Sequence, residues 1–346
     1  MKQKILQKIV LIALLLTSSH AFAYDFSKDG IYYNIISSEE RTVEVTECPS
    51  GSVYQGGINL KNKVIYNGIT YTVTRIGNSA FSFSNISKIT LPQTLLEIGW
   101  NAFWRCSNLT TITIPQSVIK IYDNPFLECS NLNAIIVEGG NTMYDSRDNC
   151  NAIIHTSSSQ LVTGCKKTII PNNIKSFGYQ SFYGCSGLTS VTIPETVNYI
   201  GAFAFGECNS LRKIDCHKSL PPNCGVWPPI EGSIPRNFSE YTLQYATLYV
   251  PKGSKKAYES VDPWRNFWNI EEKEFSVIES NFDIIKIKVL ANNSNIVIEG
   301  VDECENVKVY NMSGQCVYNG TETTIPVATK GMYIVKVNNT THKVIL

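Results

Sequence analysis

The chain has 346 residues, 43% of them hydrophobic and only 17% charged, with a formal net charge of +1. That length allows two or three folding units with cores of their own. The near-zero charge excludes the basic surface that nucleic acid or an anionic membrane would need as a partner. The low charged fraction, made up by Tyr, Thr, Ser and Asn, suits a β-rich extracellular protein.

Residues 1–23 read as an export leader. Lys2, Lys4 and Lys8 form a basic start, Ile9 to Leu16 an apolar core, and Ala21-Phe22-Ala23 a small-x-small cleavage site, so the mature chain is expected to begin at Tyr24. The apolar run is too short to stay as a membrane anchor, and no later stretch approaches the length of a membrane span. Residues 24–72 read as an N-terminal β cap. Ile31 to Ile36 is expected to pair with Thr42 to Val45, and Val64 to Tyr71 to fold over an Asn67-Gly68 turn.

From residue 73 to 272 the chain repeats itself. The segment from Ile98 reads I-G-W-N-A-F-W-R-C-S-N-L-T-T-I-T-I-P, and copies begin at Ile76, Ile121, Phe177 and Ile200. Ile98 and Ile121 stand 23 residues apart, as do Phe177 and Ile200, which is a leucine-rich-repeat period. Within each copy the L-x-x-I-x-I core predicts a strand with Ile112 and Ile114 inward and Thr111 and Thr113 outward. The following Pro ends the strand, and A-F-x-x-C is the return side, filling the core with Phe and Cys. One such coil cannot bury its own apolar face, so the fold class is mainly β: a leucine-rich-repeat solenoid, stable only as a stack.

The stretch from Ile121 to Phe177 is longer than one repeat. A hairpin insertion near 141–166 is expected, with Ala152 to His155 and Gln160 to Val162 flanking Thr156 to Ser159. Thr168-Ile169-Ile170-Pro171 is expected to resume the strand phase, residues 219–240 to form a loop, and Thr247 to Pro251 to be the last strand. Lys255 to Ile270 reads as a helix broken by Pro263, with Trp264, Phe267 and Trp268 closing the last coil. Residues 276–346 carry short strand-like runs, Ile284–Leu290 among them, separated by turns such as Ser313-Gly314 and Asn319-Gly320. They read as a small C-terminal β-sandwich.

The pattern I-G-x-x-A-F-x-x-C-x-x-L-x-x-I-x-I-P, with A-T-L-Y-V-P-K-G-S at 246–254, resembles the BspA-like leucine-rich-repeat family of bacterial surface proteins over residues 60–272. The resemblance implies a cell-surface or extracellular location and binding to extracellular proteins, including host matrix proteins. The tail, with V-K-V-Y-N-M-S-G-Q at 307–315 and G-M-Y-I-V-K-V at 331–337, resembles the sorting domain of the type IX secretion system, although it lacks the Tyr-Pro-Asn-Pro opening often seen there. A plain C-terminal β-module is the alternative.

The residues give little support to catalysis. Of four His, His20 falls in the leader, and His155, His217 and His342 lie in separate segments, which argues against a metal site or a Ser-His-Asp triad. Glu39-Glu40 and Glu271-Glu272 are adjacent solvated charges, not an opposed acid/base pair. No cofactor is implied. Cys106, Cys129, Cys185 and Cys208 share one repeat position and read either as small packing residues or as redox or metal groups. Cys150 with Cys165, and Cys304 with Cys316, are candidate disulfides. Trp100 and Trp104 either pack or stack on sugars. The candidate binding face is the outward side of the repeat strands: Lys88 and Thr90, Thr111 and Thr113, Ala134 and Ile136, Lys167 and Ile169, Ser190 and Thr192, Lys213 and Asp215, Thr247 and Tyr249. Its mixed, mostly uncharged character suits an extracellular protein, or alternatively a glycan, with no nucleic acid and no membrane span.

Overall fold

The computed structural model describes residues 24–49, 51–228, 236–275, and most of 288–345 with short omissions. The expected leader, residues 1–23, lies outside the described residues. The chain divides into two compact units, residues 1–274 and 275–346.

In the first unit, alternation does what the strand period requires. In Thr111–Ile114 both Ile are buried and both Thr exposed. This strand pairs in parallel with Ala134–Val137, with Thr111 opposite Ala134, one repeat further along the chain. Ser190–Ile193 pairs likewise with Lys213–Cys216, and that strand with Thr247–Pro251. A second row of short parallel strands sits at each I-G step. Glu97–Ile98 pairs with Lys120–Ile121, and Ser176–Phe177 with Tyr199–Ile200 and then Asn223–Cys224.

The return segments stack on a backbone ladder of their own. The Phe81 N–H donates to Ala102 at 2.7 Å, Phe103 to Pro125 at 2.8 Å, Phe182 to Ala204 at 2.8 Å, and Phe205 to Asn237 at 2.7 Å. To present these groups, each coil turns twice through left-handed backbone. Ser79, Asn101, Asn124, Gln180 and Phe203 share one repeat position, and Phe83, Arg105, Glu128, Gly184 and Glu207 another, all with positive φ. Inside this ladder the Phe rings stack. Phe81–Phe103, Phe103–Phe126 and Phe182–Phe205 each have centroids 5.2 Å apart and nearly parallel planes, and Phe205–Phe238 follows at 5.4 Å. The repeated thiols donate to the preceding coil. Cys106, Cys129 and Cys208 Sγ lie 3.0 Å from the carbonyls of Phe81, Phe103 and Phe182. In the first copy Ser84, buried like the Cys, stands at this position.

The insertion enters through the short-strand row. Ala152–His155 and Gln160–Gly164 form the hairpin, and Gln160–Gly164 then pairs in parallel with Ser176–Phe177. The Ile121 N–H donates to Tyr144 Oη at 2.9 Å, which satisfies the open end of the preceding coil. The buried apolar residues accordingly form two clusters, one from Phe26 to Cys165 and one from Cys150 to Ile270.

Several expectations need correction. Thr168 to Pro171 forms no strand. The Thr168 hydroxyl accepts the Cys165 N–H and donates to the Asn151 carbonyl, both at 2.7 Å, so side-chain bonds replace a strand ladder there. Cys150 and Cys165 are free thiols, each turned toward a backbone carbonyl, at Ala152 and Asn151 respectively. Lys255 to Ile270 is not one helix. It is a single turn at Lys255–Tyr258, a 3-10 turn at Trp264–Asn266, and then a strand, Asn269–Lys273, paired in parallel with Thr247–Pro251. Pro263 cannot extend the first turn. Thr247–Pro251 is therefore not the last strand of the row. Trp264 and Phe267 are buried, but Trp268 is 75% exposed and shares no face with them. Trp264 Nε1 donates to the Pro222 carbonyl at 3.0 Å. The 219–240 segment holds the short strand Asn223–Cys224, and the helix Glu240–Tyr245 begins at its end, capped by Ser239.

Before the first copy, Ile31–Ser37 pairs with Thr42–Val45, and Lys63–Tyr66 with Ile69–Ile76 through Asn67 and Gly68 at φ of 48° and 77°. Thr42–Val45 and Ile69–Ile76 run parallel and join the short-strand row. Gln55–Asn59 pairs in parallel with Asn85–Thr90, so the long-strand row begins inside the region read as cap.

The second unit consists, among its described residues, of antiparallel strands. Lys288–Asn292, Asn295–Glu299 and Thr324–Pro326 form one sheet; Cys316–Gly320, Val307–Tyr310, Met332–Val337 and Thr340–Ile345 form the other. Ile296, Ile325, Val309, Tyr333 and Val335 are among the residues of one buried cluster drawn from both sheets. Thr324–Pro326 is a strand the sequence reading did not contain. Cys316 is an exposed free thiol, and Cys304 lies outside the described residues, as does the start of the run expected from Ile284.

Replacing Phe103 by Ala is expected to lower unfolding free energy by about 3–5 kcal/mol, because the ring is enclosed by its neighbours in the stack. Cys106→Ser is expected to stay within about 1.5 kcal/mol of the parent, since Ser84 fills the same position, whereas Cys106→Leu overpacks and costs about 1–3 kcal/mol. Urea titrations of the three variants measure both contrasts. A pH effect follows from the buried thiols. Burial pushes Cys150 and Cys216 up to about 11 and Cys185 up to about 12, from 9.0. Unfolded thiols ionise near pH 8.5. The stabilisation is whole below that pH and is lost as pH rises toward 12. The urea midpoint should fall steadily above about pH 8.5, and less so in Cys185→Ala.

Candidate binding face

The long-strand row displays most of the predicted face, in three groups. Lys88 and Thr90 are exposed on Asn85–Thr90, beside Gln55–Asn59. Thr111 and Thr113 are exposed, with Ala134 and Ile136 directly opposite; Ala134 is half-buried and Ile136 is 46% exposed. Ser190 and Thr192 face Lys213 and Asp215, which face Thr247 and Tyr249. Lys167 and Ile169 are exposed, but they stand on irregular backbone outside any sheet, so the structure does not bring them into the row.

The last group is a charged and aromatic cluster. Asp215, its side chain only 14% exposed, lies 3.0 Å from Lys213 Nζ and 3.6 Å from Lys273 Nζ. Both ammonium groups also sit over the Tyr249 ring, at 5.9 and 5.5 Å from its centroid. Thr247 accepts from Asn269 Nδ2 at 2.8 Å. Asp215, Thr247 and Tyr249 are thus half-covered by their neighbours. Asn269, Glu271 and Lys273 belong to the same row and were missed. The signal was present, since Ile270 stands 22 residues after Leu248, one repeat length.

The other candidate groups are scattered. His155 Nδ1 lies 3.0 Å from Ser158 Oγ in the hairpin turn. Burial lowers the His217 pKa below its usual value. His342 lies on Thr340–Ile345 in the other unit. Among the described residues no group of three or more His, Cys, Asp or Glu is placed to hold a metal ion. None of their helices is long and apolar enough to cross a membrane. Trp104 packs edge-on against Phe83 and donates to Glu128, whereas Trp100 is exposed beside Tyr122.

Two parallel strands and a Phe–Cys return per coil agree with the sequence match. Residues 54–155 and 152–222 match the model of the BspA type leucine rich repeat region, in six copies. Residues 54–222 are thus similar to a BspA type leucine rich repeat region. Solved structures similar to this chain include the pneumococcal vaccine antigen PcpA, at 18% identity, covering 65% of this chain and 81% of that one with a TM-score of 0.35. A leucine-rich-repeat protein from Eubacterium ventriosum is 17% identical and covers 64% and 82%, with a TM-score of 0.37. A leucine rich cell surface protein from Faecalibacterium prausnitzii is 17% identical and covers 72% and 94%, with a TM-score of 0.31. No curated protein matches the chain in sequence.

The Asp215 cluster supports a stability test. Asp215→Ala is expected to cost about 1–2 kcal/mol, because two ammonium groups lose a largely covered partner. Lys213→Ala should cost less than about 1 kcal/mol, as its own head is half exposed. Thermal and urea unfolding of the two variants gives the ratio.

Proposed function

We propose that the protein is exported and acts at the cell surface or outside the cell as a non-catalytic binding solenoid, whose ligand is an extracellular protein such as a matrix protein. The single observation that carries this reading is the register of the long strands. Thr111 and Thr113, and Ser190 and Thr192, stand exposed on two strands, with the apolar Ile136 opposite Thr113, on backbone already fixed by parallel pairing. Such a face loses little conformational entropy on binding. Recognition works through shape, hydroxyl hydrogen bonds and the apolar and Tyr contacts of Ile136 and Tyr249, and needs no cofactor. The BspA-type match supports the same assignment. Residues 1–23 act as the export leader, the strands before residue 54 cap the stack, and the module at 276–346 directs sorting.

The test is a binding panel of extracellular matrix proteins run beside a glycan array. The expected result is saturable binding to a matrix protein that drops at least about tenfold in the double variant Thr113→Lys, Ile136→Asp, since a buried, unpaired charge at an interface costs several kcal/mol. Binding to glycans alone, through the same two residues, would replace the protein-ligand reading with a glycan one.

A further inference from the structure

The corner leading from each return segment into its strand carries a groove of about 660 Å³ that contains none of the strand-face residues. The repeat itself builds it. Ser107, Ser130 and Ser186 recur at one position in successive coils, and their small side chains leave a channel running from coil to coil. The walls come from the preceding left-handed turns: Phe83, Arg105, Glu128, Tyr183 and Glu207. The volume is that of a small-ligand site.

These walls are held in place. Arg105 Nε is bound by Glu128 Oε2 at 2.7 Å, and Trp104 Nε1 by Glu128 Oε1 at 3.1 Å. The guanidinium lies over the rings of Phe83 and Trp104, at 5.4 and 5.2 Å. Arg105 makes no hydrogen bond through Nη1 or Nη2 among the described residues, so its outer edge is open to a ligand. Two glycines shape the walls. A Cβ on Gly184 would strike the Glu128 side chain, and one on Gly206 would sit 2.7 Å from the Tyr183 ring. Phe83 is 48% exposed in spite of its size.

We infer that this groove binds a neutral oligosaccharide, with Phe83 and Tyr183 packing on sugar C–H faces and with Arg105 Nη and the Glu207 carboxylate engaging hydroxyls of different sugar units along the chain. The chemistry selects the class. A sugar hydroxyl both accepts from a guanidinium and donates to a carboxylate. Arg105 alone against Glu128 and Glu207 leaves no positive excess for a sulfated or acidic chain. A peptide is disfavoured because the backbone around the groove is already spent. The N–H groups of Phe83, Arg105, Glu128 and Gly184 donate to the next coil, at Trp104, Leu127, Tyr183 and Gly206. No strand edge is left there for an extended peptide to join. The inference does not rest on the protein-binding reading, because the two surfaces share no residue.

The experiment is saturation-transfer NMR and calorimetry on the purified full chain with neutral tetrasaccharides of glucose, mannose, galactose and N-acetylglucosamine, and with a sulfated tetrasaccharide. At least one neutral probe is expected to bind. Its affinity should fall about tenfold or more in Phe83→Ala and in Glu207→Gln, both exposed positions, the latter through loss of a charge-assisted hydrogen bond. It should be unchanged in Thr113→Lys. Circular dichroism and melting curves confirm that the variants are folded. Absence of neutral-sugar binding, preference for the sulfated probe, or binding that survives both groove substitutions would overturn the inference.

Discussion

Everything in the first unit depends on the backbone ladder between return segments. To reach it, each coil passes two residues through left-handed conformation, at about 1–2 kcal/mol for a residue with a Cβ. Neither that conformation nor the Phe ring beside it is favourable in a single coil. Both become favourable when the next coil supplies carbonyls for the N–H groups and a ring for the ring. The thiols follow the same logic, since Cys106, Cys129 and Cys208 each bond to the coil before their own. Cooperativity here is between neighbours, so the strain of one coil is offset by contacts with the next.

This constraint also shapes the surfaces. A ladder that uses the main-chain groups on the return side leaves recognition to side chains, and left-handed turns throw those side chains outward at Phe83, Arg105, Glu128 and Glu207. The strand side is the opposite case. Its backbone is also spent, in parallel pairing, but its outward positions mix short hydroxyl residues with Lys, Asp, Ile and Tyr. One rigid scaffold thus presents two surfaces of different chemistry, one broad and nearly neutral, the other narrow, aromatic and charged.

The sequence made the strand alternation plain, because Ile and Thr at period two leave little choice in Thr111–Ile114. The buried Phe and Cys of A-F-x-x-C, and the Asn67-Gly68 turn, were legible for similarly local reasons. What escaped was decided by contacts remote in sequence. The left-handed positions hold Phe83, Arg105 and Gln180 as well as Asn and Gly, so residue type does not betray them; the ladder imposes them. Asn269 and Ile270 fell within the expected helix because the aromatic spacing of Trp264, Phe267 and Trp268 suggested one face, while the strand Thr247–Pro251 beside them took Asn269–Lys273 as its partner. Thr168 looked like strand until its hydroxyl found the Cys165 N–H and the Asn151 carbonyl. Of the candidate face, the positions were legible, but the covering of Asp215 by two lysines was not.

The insertion shows how such a stack tolerates an interruption. The hairpin strand Gln160–Gly164 enters the short-strand row and pairs onward with Ser176–Phe177, so that side continues. The return side also continues, with the Asn124 amide donating to the Gln180 carbonyl. The long-strand row is cut at the insertion, because Thr168 to Pro171 does not form the strand that would join Ala134–Val137 to Ser190–Ile193. The broad face is therefore broken here between its second and third groups. Between them stand Lys167 and Ile169 on irregular backbone, the latter 62% exposed, with Ile136 at the near edge. An exposed apolar pair beside a break in a sheet has more to gain from a partner than the hydroxyl rows on either side, since burying each Ile returns about 1.5–3 kcal/mol while exchanging a hydroxyl's water for a protein group returns about 1. The interruption leaves Ile136 and Ile169 exposed beside the break in the sheet.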